Sequence, residues 1–168
     1  MSDLFLQDLR VQFEVSPQPA VADLSLRIET GRVVALIGES GSGKTLTALS
    51  LLALLPATAI VSGSLQIDDQ HLAMDDTEAV AALRGRAIGL IFQDPMSSLN
   101  PVLTIGEQVD EVFRCHRRLD RKAAQAATIT LLTQLGLPDP KHRRRHYPHQ
   151  FSGGQRQRIA IAMAIAAE

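Results

Sequence analysis

One cysteine, Cys115, is all the thiol chemistry this sequence holds, and no C-x-x-C pair occurs. An internal disulfide framework and a cysteine-built metal site are both excluded, and the pattern is that of a cytosolic chain. Long apolar runs are also missing. The longest begins at Leu46 and meets Pro56, far short of the roughly 20 residues that cross a bilayer. Any role at a membrane is therefore expected to come through a partner. Met1-Ser2-Asp3 opens on an acid rather than a basic stretch, and no apolar segment of signal-peptide length follows, so no secretory signal is expected. There is no internal repeat and no low-complexity tract.

What is present is an ordinary globular composition. The chain has 168 residues, 45% hydrophobic and 21% charged, with a formal net charge of -1. That length suits one domain with a proper core rather than two. Charge is segregated: residues 1–84 carry 5 basic and 11 acidic side chains, residues 85–168 carry 12 basic and 7 acidic. A basic half can mark a nucleic-acid surface. Here Arg117, Arg118, Arg121, Lys122 and Arg143 to Arg145 have no interleaved aromatics, and a solvated helical face without nucleic acid is the simpler reading.

Period-two alternation at Leu9, Val11, Phe13 and Val15 predicts a strand, and Leu24, Leu26 and Ile28 a second. Val33 to Ile37 is a continuous apolar run of the kind buried on both faces of a parallel sheet. Lys44 to Leu55 predicts a helix stopped by Pro56. Ser64 to Ile67 is a short strand, Thr77 a helix cap, and Ile88 to Phe92 another buried strand. Strands alternating with helices predict an α/β fold. From Thr104 the period becomes helical, with Gly136 placed as a C-terminal cap, so a helical insertion is expected over 104–149.

Gly38-Glu39-Ser40-Gly41-Ser42-Gly43-Lys44-Thr45 satisfies G-x-x-x-x-G-K-[ST] in full, after a predicted strand and before a predicted helix. The glycines let backbone amides curl around phosphate oxygens. The helix start adds its positive dipole end, Lys44 reaches the β and γ phosphates, and Thr45 offers a hydroxyl to Mg²⁺. A plain strand-to-helix turn would produce the whole pattern in about one chain of this length in a hundred or fewer.

A second constellation is Phe151-Ser152-Gly153-Gly154-Gln155, ahead of the apolar stretch Ile159 to Ala166. Ser152 and Gln155 have the spacing of a capping box, which any helix could use. Two glycines in the first turn nonetheless cost about 1 kcal/mol each relative to alanine, unless bare amides must approach something closely, such as a phosphate. His142 and His146 stand four apart with His149 near, but three arginines intervene and no cysteine or carboxylate completes a set, so a metal site is not expected there.

Taken in order, the Gly38 to Thr45 loop, Gln93 after the next core strand, and the Ser-Gly-Gly-Gln helix start resemble the ABC ATPases over essentially the whole chain. They match the Walker A motif, the Q-loop and the signature motif. Phe92 to Pro101 and Tyr147 to Gln150 are similar to the importers of oligopeptides, dipeptides, nickel and glutathione. The resemblance implies a P-loop NTPase (RecA-like) α/β core with an N-terminal antiparallel β part. It divides the chain into residues 1–103 as β part and ATP-binding core, 104–150 as helical subdomain and 151–168 as signature motif and helix.

It further implies ATP and Mg²⁺ as cofactors. Gly38, Ser40, Gly41, Ser42, Gly43, Lys44, Thr45 and Gln93 would hold ATP, with Lys44 and Gln93 catalytic and Thr45 and Gln93 on the metal. Phe13 matches the aromatic that stacks on adenine, although a plain core phenylalanine is an equal alternative. Ser152, Gly153, Gly154 and Gln155 match the groups that reach the ATP of an opposite subunit. The partners implied are a second ATPase subunit, identical or not, integral membrane permease subunits, and indirectly an extracytoplasmic solute-binding protein. The place implied is the cytoplasmic face of the inner membrane.

Phe151 stands where leucine is commonest, Gln155 where methionine is frequent, and Thr45 where serine is. The family pattern continues past position 168 into a strand ending in Asp-Glu and a switch histidine. Without these, the 168 residues alone are expected to hydrolyse ATP very slowly, to be poorly stable, and at the limit to act as a nucleotide-binding module.

Overall fold

The computed structural model describes residues 3–94 and 98–167. Pro95, Met96 and Ser97, part of the importer-like run, lie outside the described residues, as do Met1, Ser2 and Glu168. The chain divides between Ile88 and Gly89 into two compact units.

In the first unit the alternating apolar residues build β1 (Leu4–Phe13), which lies between β2 (Val21–Ile28) and β3 (Ala59–Ile67); β4 (Gln70–Ala73) pairs with the far side of β3. All these strand pairings are antiparallel. Leu6, Leu9 and Val11 of β1 and Leu65 and Ile67 of β3 are buried, and Met74, Val80 and Leu83 close the same core. β1 carries a bulge at Asp8, whose φ of 50° breaks the register with both neighbours. Gly63 of β3 accommodates it: a Cβ there would stand 2.7 Å from the Gln7 carbonyl oxygen and 2.8 Å from that of Asp8.

α1 (Lys44–Ser50) is shorter than the apolar run that predicts it. Ala53 takes a left-handed φ of 49°, the amide of Leu54 donates to the Leu49 carbonyl (2.9 Å) and that of Ala53 to the Ser50 carbonyl (3.0 Å). These are the two bonds of a Schellman stop. The Arg84 guanidinium then takes the freed carbonyls, Nε donating to Leu52 O (2.6 Å) and Nη2 to Ala53 O (2.7 Å). The stop is made before Pro56 is reached. α2 (Thr77–Ala81) is capped one residue earlier than the sequence suggests, by Asp76, whose Oδ1 accepts from the Ala79 amide at 3.0 Å.

Val33 to Ile37 and Ile88 to Phe92, expected as buried strands, join no ladder. Only an isolated parallel bridge between Arg84 and Ile88 is formed there. A strand exists through its pairing, and among the described residues no strand pairs with either run. Val33 and Ile37 are accordingly 97% and 90% exposed, and Ile91 and Phe92 are exposed too. Val15 also lies beyond the end of β1 and is exposed.

The second unit is helical: α3 (Ile105–Arg117), α4 (Arg121–Gln134), the short α5 (Pro140–Arg143), a 3₁₀ turn (Pro148–Gln150) and α6 (Gly153–Ile165). Ile105, Val109 and Phe113 of α3, Ala124 and Leu132 of α4, Phe151, and Ile159 and Ala162 of α6 share one buried core. α3 begins with a capping box. Glu107 accepts from the Thr104 amide (2.8 Å) and hydroxyl (2.6 Å), which holds its carboxyl below the ordinary carboxylate value. The stabilisation this carboxylate gives is in place above its unfolded pKa and is lost as pH falls through the lowered one.

Gly136 caps α4 as expected, at φ 71°, with the Leu137 amide donating to Leu132 O and its own amide to Thr133 O, both 2.9 Å. The turn after α5 is clamped onto the start of α3. The Gly106 amide donates to Arg144 O (2.8 Å) and the Ile105 amide to His146 O (3.0 Å). A Cβ on Gly106 would meet that Arg144 oxygen at 2.6 Å, so the approach requires glycine.

Candidate functional site

The loop from Gly38 to Gly43 closes against the sheet. Gly41 and Gly43, on either side of Ser42, have φ of 84° and 86°, and alternating handedness of this kind turns successive amides toward one side. Gly43 is also pressed on the chain entering β2: a Cβ would lie 2.7 Å from Ala20 O and 2.8 Å from Val21 Cγ2. Gly43 is the N-cap of α1 and supplies no side chain to the first amides of the helix. No side-chain cap covers those amides, and a helix start of this kind suits an anion.

Lys44 Nζ donates to Gly38 O (2.8 Å), Glu39 O (2.6 Å) and Ser42 Oγ (3.1 Å). The ammonium is thus folded back over the loop, among oxygens that phosphate oxygens can replace. Thr45, next on the helix, is exposed and its hydroxyl has no hydrogen-bond partner among the described residues. Ser40 lies exposed at the crest of the loop. Val11 pairs with Val21, the residue that touches Gly43, so the end of β1, with half-buried Phe13 two residues on, is brought toward the loop. Phe13 also packs on the edge of the first core, and both of its readings remain compatible with this placement.

In the second unit, Gln93 is exposed, with no side-chain partner among the described residues. Ser152 is the N-cap of α6. Its Oγ accepts from the Gln155 amide (3.4 Å), and Gln155 Oε1 accepts from the Ser152 amide (3.1 Å), completing the capping box expected from the sequence. Gly153 and Gly154 are exposed, have no left-handed φ, and a Cβ on either would meet nothing within 4 Å. Nothing among the described residues requires glycine there, and the bare backbone face is open to solvent.

Sequence reasoning missed what stands behind this helix start. Arg143 lies with its guanidinium carbon 4.6 Å from the centre of the Phe151 ring, and its Nη2 donates to Gln155 Oε1 at 3.4 Å. His146 is against the same ring, 6.1 Å between centroids. Arg144, the next residue, makes an ion pair of 2.6 Å with Asp110 of α3. In sequence these arginines read as a solvated basic run. The one available signal was Phe151, an aromatic where leucine would fill the core.

No helix among the described residues is long and apolar enough to cross a membrane. Compared with known proteins, residues 21–168 match the family model described as "ABC transporter". The chain is 45% identical over 166 residues to the oligopeptide transport ATP-binding protein OppD of Mycobacterium tuberculosis, a match covering 97% of this chain and 27% of that protein. It is 40% identical over 169 residues to the dipeptide transport ATP-binding protein DppD of Bacillus subtilis, covering 98% of this chain and 50% of that protein. The chain thus spans half or less of these two relatives. Among solved structures it resembles the ATP-binding cassette MJ0796, a dimer in a post-hydrolysis state bound to ADP and Pi. The TM-score is 0.77 at 27% identity, over 98% of this chain and 69% of that one. The expected fold, a P-loop NTPase core with an antiparallel β part and a helical insertion, is the fold of that cassette.

Proposed function

This chain belongs to the ABC transporter family, and from that premise we propose that it is the ATP-binding, energy-coupling part of an importer of peptides, with nickel or glutathione as further candidate cargo. The observation that carries the reading is the pair of glycine-bearing helix starts. The one at Gly43 has the phosphate-seeking Lys44. The one at Ser152 has an open backbone face and no lysine. A P-loop kinase would use the first and leave the second without a task. A two-ATP dimer uses both, each subunit's Ser152, Gly153, Gly154 and Gln155 closing on the nucleotide held by the other subunit's loop.

In that arrangement the amides of Gly38, Ser40, Gly41, Ser42 and Gly43 cradle phosphate oxygens, and Lys44 exchanges its loop oxygens for those of the β and γ phosphates. Phe13 stacks on adenine. The hydroxyl of Thr45 and the side-chain oxygen of Gln93, neither with a partner among the described residues, are each a hard oxygen donor of the kind Mg²⁺ takes, and each is a candidate ligand to it by the family resemblance. Bound Mg²⁺ neutralises charge on the β and γ phosphate oxygens during transfer. Gln93 orients the attacking water, a positioning role, and passes its motion to membrane permease subunits. The site of action is the cytoplasmic face of the inner membrane, with an extracytoplasmic solute-binding protein delivering the cargo.

The test combines cross-linking with one helix variant. In a Cys115→Ser background, Ser40→Cys and Ser152→Cys introduced on separate copies should give an ATP-dependent covalent dimer. Its absence at saturating ATP would sink the sandwich. In the otherwise unaltered chain, Gly154→Ala should leave thermal stability unchanged or raise it by up to about 1 kcal/mol, yet abolish ATP-dependent dimerisation. A Gly154→Ala protein that dimerises normally would return those glycines to chance.

A further inference from the structure

Gln155 has two partners for one oxygen. Its Oε1 accepts from the Ser152 amide at 3.1 Å, which closes the capping box, and from Arg143 Nη2 at 3.4 Å. The same guanidinium lies 4.6 Å from the centre of the Phe151 ring, and Phe151 is 4% exposed, packed in the core of the second unit. Arg143 therefore grips the residues on both sides of Ser152, Gly153 and Gly154, one through a charge-assisted hydrogen bond and the other through a cation-π contact.

The position of Arg143 is itself fixed. It ends α5, with its amide donating to Asp139 O (2.9 Å) and its carbonyl accepting from the His146 amide (2.9 Å). The next residue, Arg144, is tied to α3 through Asp110 and through the Gly106 amide. Without this grip, Gln155 would be held only by the capping box, whose return bond from the Gln155 amide to Ser152 Oγ is long at 3.4 Å.

We propose that Arg143 is a positioning residue for the second nucleotide face, fixing Phe151 and Gln155 so that the amides between them meet the phosphate of an ATP bound by another subunit. This rests on the two-ATP reading given above and adds a residue to it. Arg143 is no part of the Lys44 loop, and its two side-chain contacts are with Phe151 and Gln155, so its loss is expected to act on dimer closure and not on the affinity of that loop. Phe151 serves the same network: its ring gives the guanidinium a face, which leucine would not.

The experiment measures, in the full chain, the ATP concentration giving half-maximal dimer by sedimentation, with fluorescent ATP-analogue binding to the monomer and the melting temperature read alongside. Arg143→Ala should raise that concentration about five-fold while the other two readouts stay at wild-type values. Phe151→Leu should do the same with its apolar burial kept. The double variant should be no worse than Arg143→Ala alone, because the contact that Phe151→Leu removes is one of the two that Arg143→Ala removes. Arg143→Lys, which keeps the charge but not the flat fork, should fall between.

An Arg143→Ala protein that dimerises like wild type overturns the proposal. So do effects of Arg143→Ala and Phe151→Leu that multiply. A fall in monomer nucleotide affinity or in melting temperature matching the dimer defect also overturns it and makes Arg143 a general structural residue; Phe151→Leu should then show the same parallel losses with every charge in place. Wild type that never dimerises with ATP removes the two-ATP reading and this proposal together.

Discussion

Replacing Lys44 by alanine should lower the affinity of the purified chain for an ATP analogue by about 100-fold, since two charge-assisted hydrogen bonds to phosphate at about 1.5 kcal/mol each are lost. The geometry gives a second reason for a large effect. The ammonium now draws in Gly38 O, Glu39 O and Ser42 Oγ, so it gathers the loop before any phosphate arrives. Alanine removes both the ligand contact and the tether that shapes the cradle. Lys44→Arg should fail nearly as badly, because the planar guanidinium cannot take the place of a compact ammonium among three converging oxygens. Titration of a fluorescent analogue, with far-UV circular dichroism to confirm folding, decides the point. Binding within two-fold of wild type would mean that the loop, motif notwithstanding, is not the phosphate site. Arg118→Ala, a change in the second unit at the C-cap of α3, is the control that should leave binding alone.

The glycine-rich loop is legible in the sequence because its chemistry is local. Eight consecutive residues, Gly38 to Thr45, carry the glycines, the lysine and the hydroxyl, and the positive φ values at Gly41 and Gly43 are what glycine is needed for. The Ser152 to Gln155 box and the Gly136 cap are local in the same way and stand where the spacing puts them. Apart from the cap of α2, where Asp76 replaces Thr77 through a local bond, the elements that sequence misplaces involve a partner distant along the chain. α1 stops early at the left-handed turn of Ala53, and Arg84, more than 30 residues on, holds that stop by taking the carbonyls of Leu52 and Ala53. β4 is hidden because Gln70 to Ala73 has little apolar character, and only its pairing with β3, Leu65 opposite Leu72, makes it a strand. The turn residues Asp68 and Asp69 before it, with Asp68 at φ 51°, are the available hairpin signal. Val33 to Ile37 shows the converse. Apolar β-branched residues state a preference, but a strand needs a neighbour to pair with, and composition does not say where that neighbour is.

Asp110→Ala should destabilise the helical unit by about 3 to 5 kcal/mol, the usual result of stripping one member from a buried ion pair. Asp110 Oδ2 and Arg144 Nη2 are 2.6 Å apart, with side chains only 12% and 14% exposed. The pair is half satisfied, since Asp110 Oδ1 and Arg144 Nε are buried without a hydrogen-bond partner among the described residues. It therefore gives little net stability as it stands, and nearly all of the loss on mutation comes from the charge left behind. That distinction can be measured. A double replacement by apolar residues of similar size, Asp110→Leu with Arg144→Met, should recover most of the stability lost by Asp110→Ala in urea unfolding. If the two single changes simply add, the pair is not coupled and the reading is wrong. The backbone bonds from Ile105 and Gly106 to His146 O and Arg144 O hold the turn after α5 independently, so the rescued double variant should keep Arg143 on Phe151. It should then keep ATP-dependent dimerisation as well, whereas the Asp110→Ala single variant, with a guanidinium left buried and unpaired, should unfold more readily and lose dimerisation with stability.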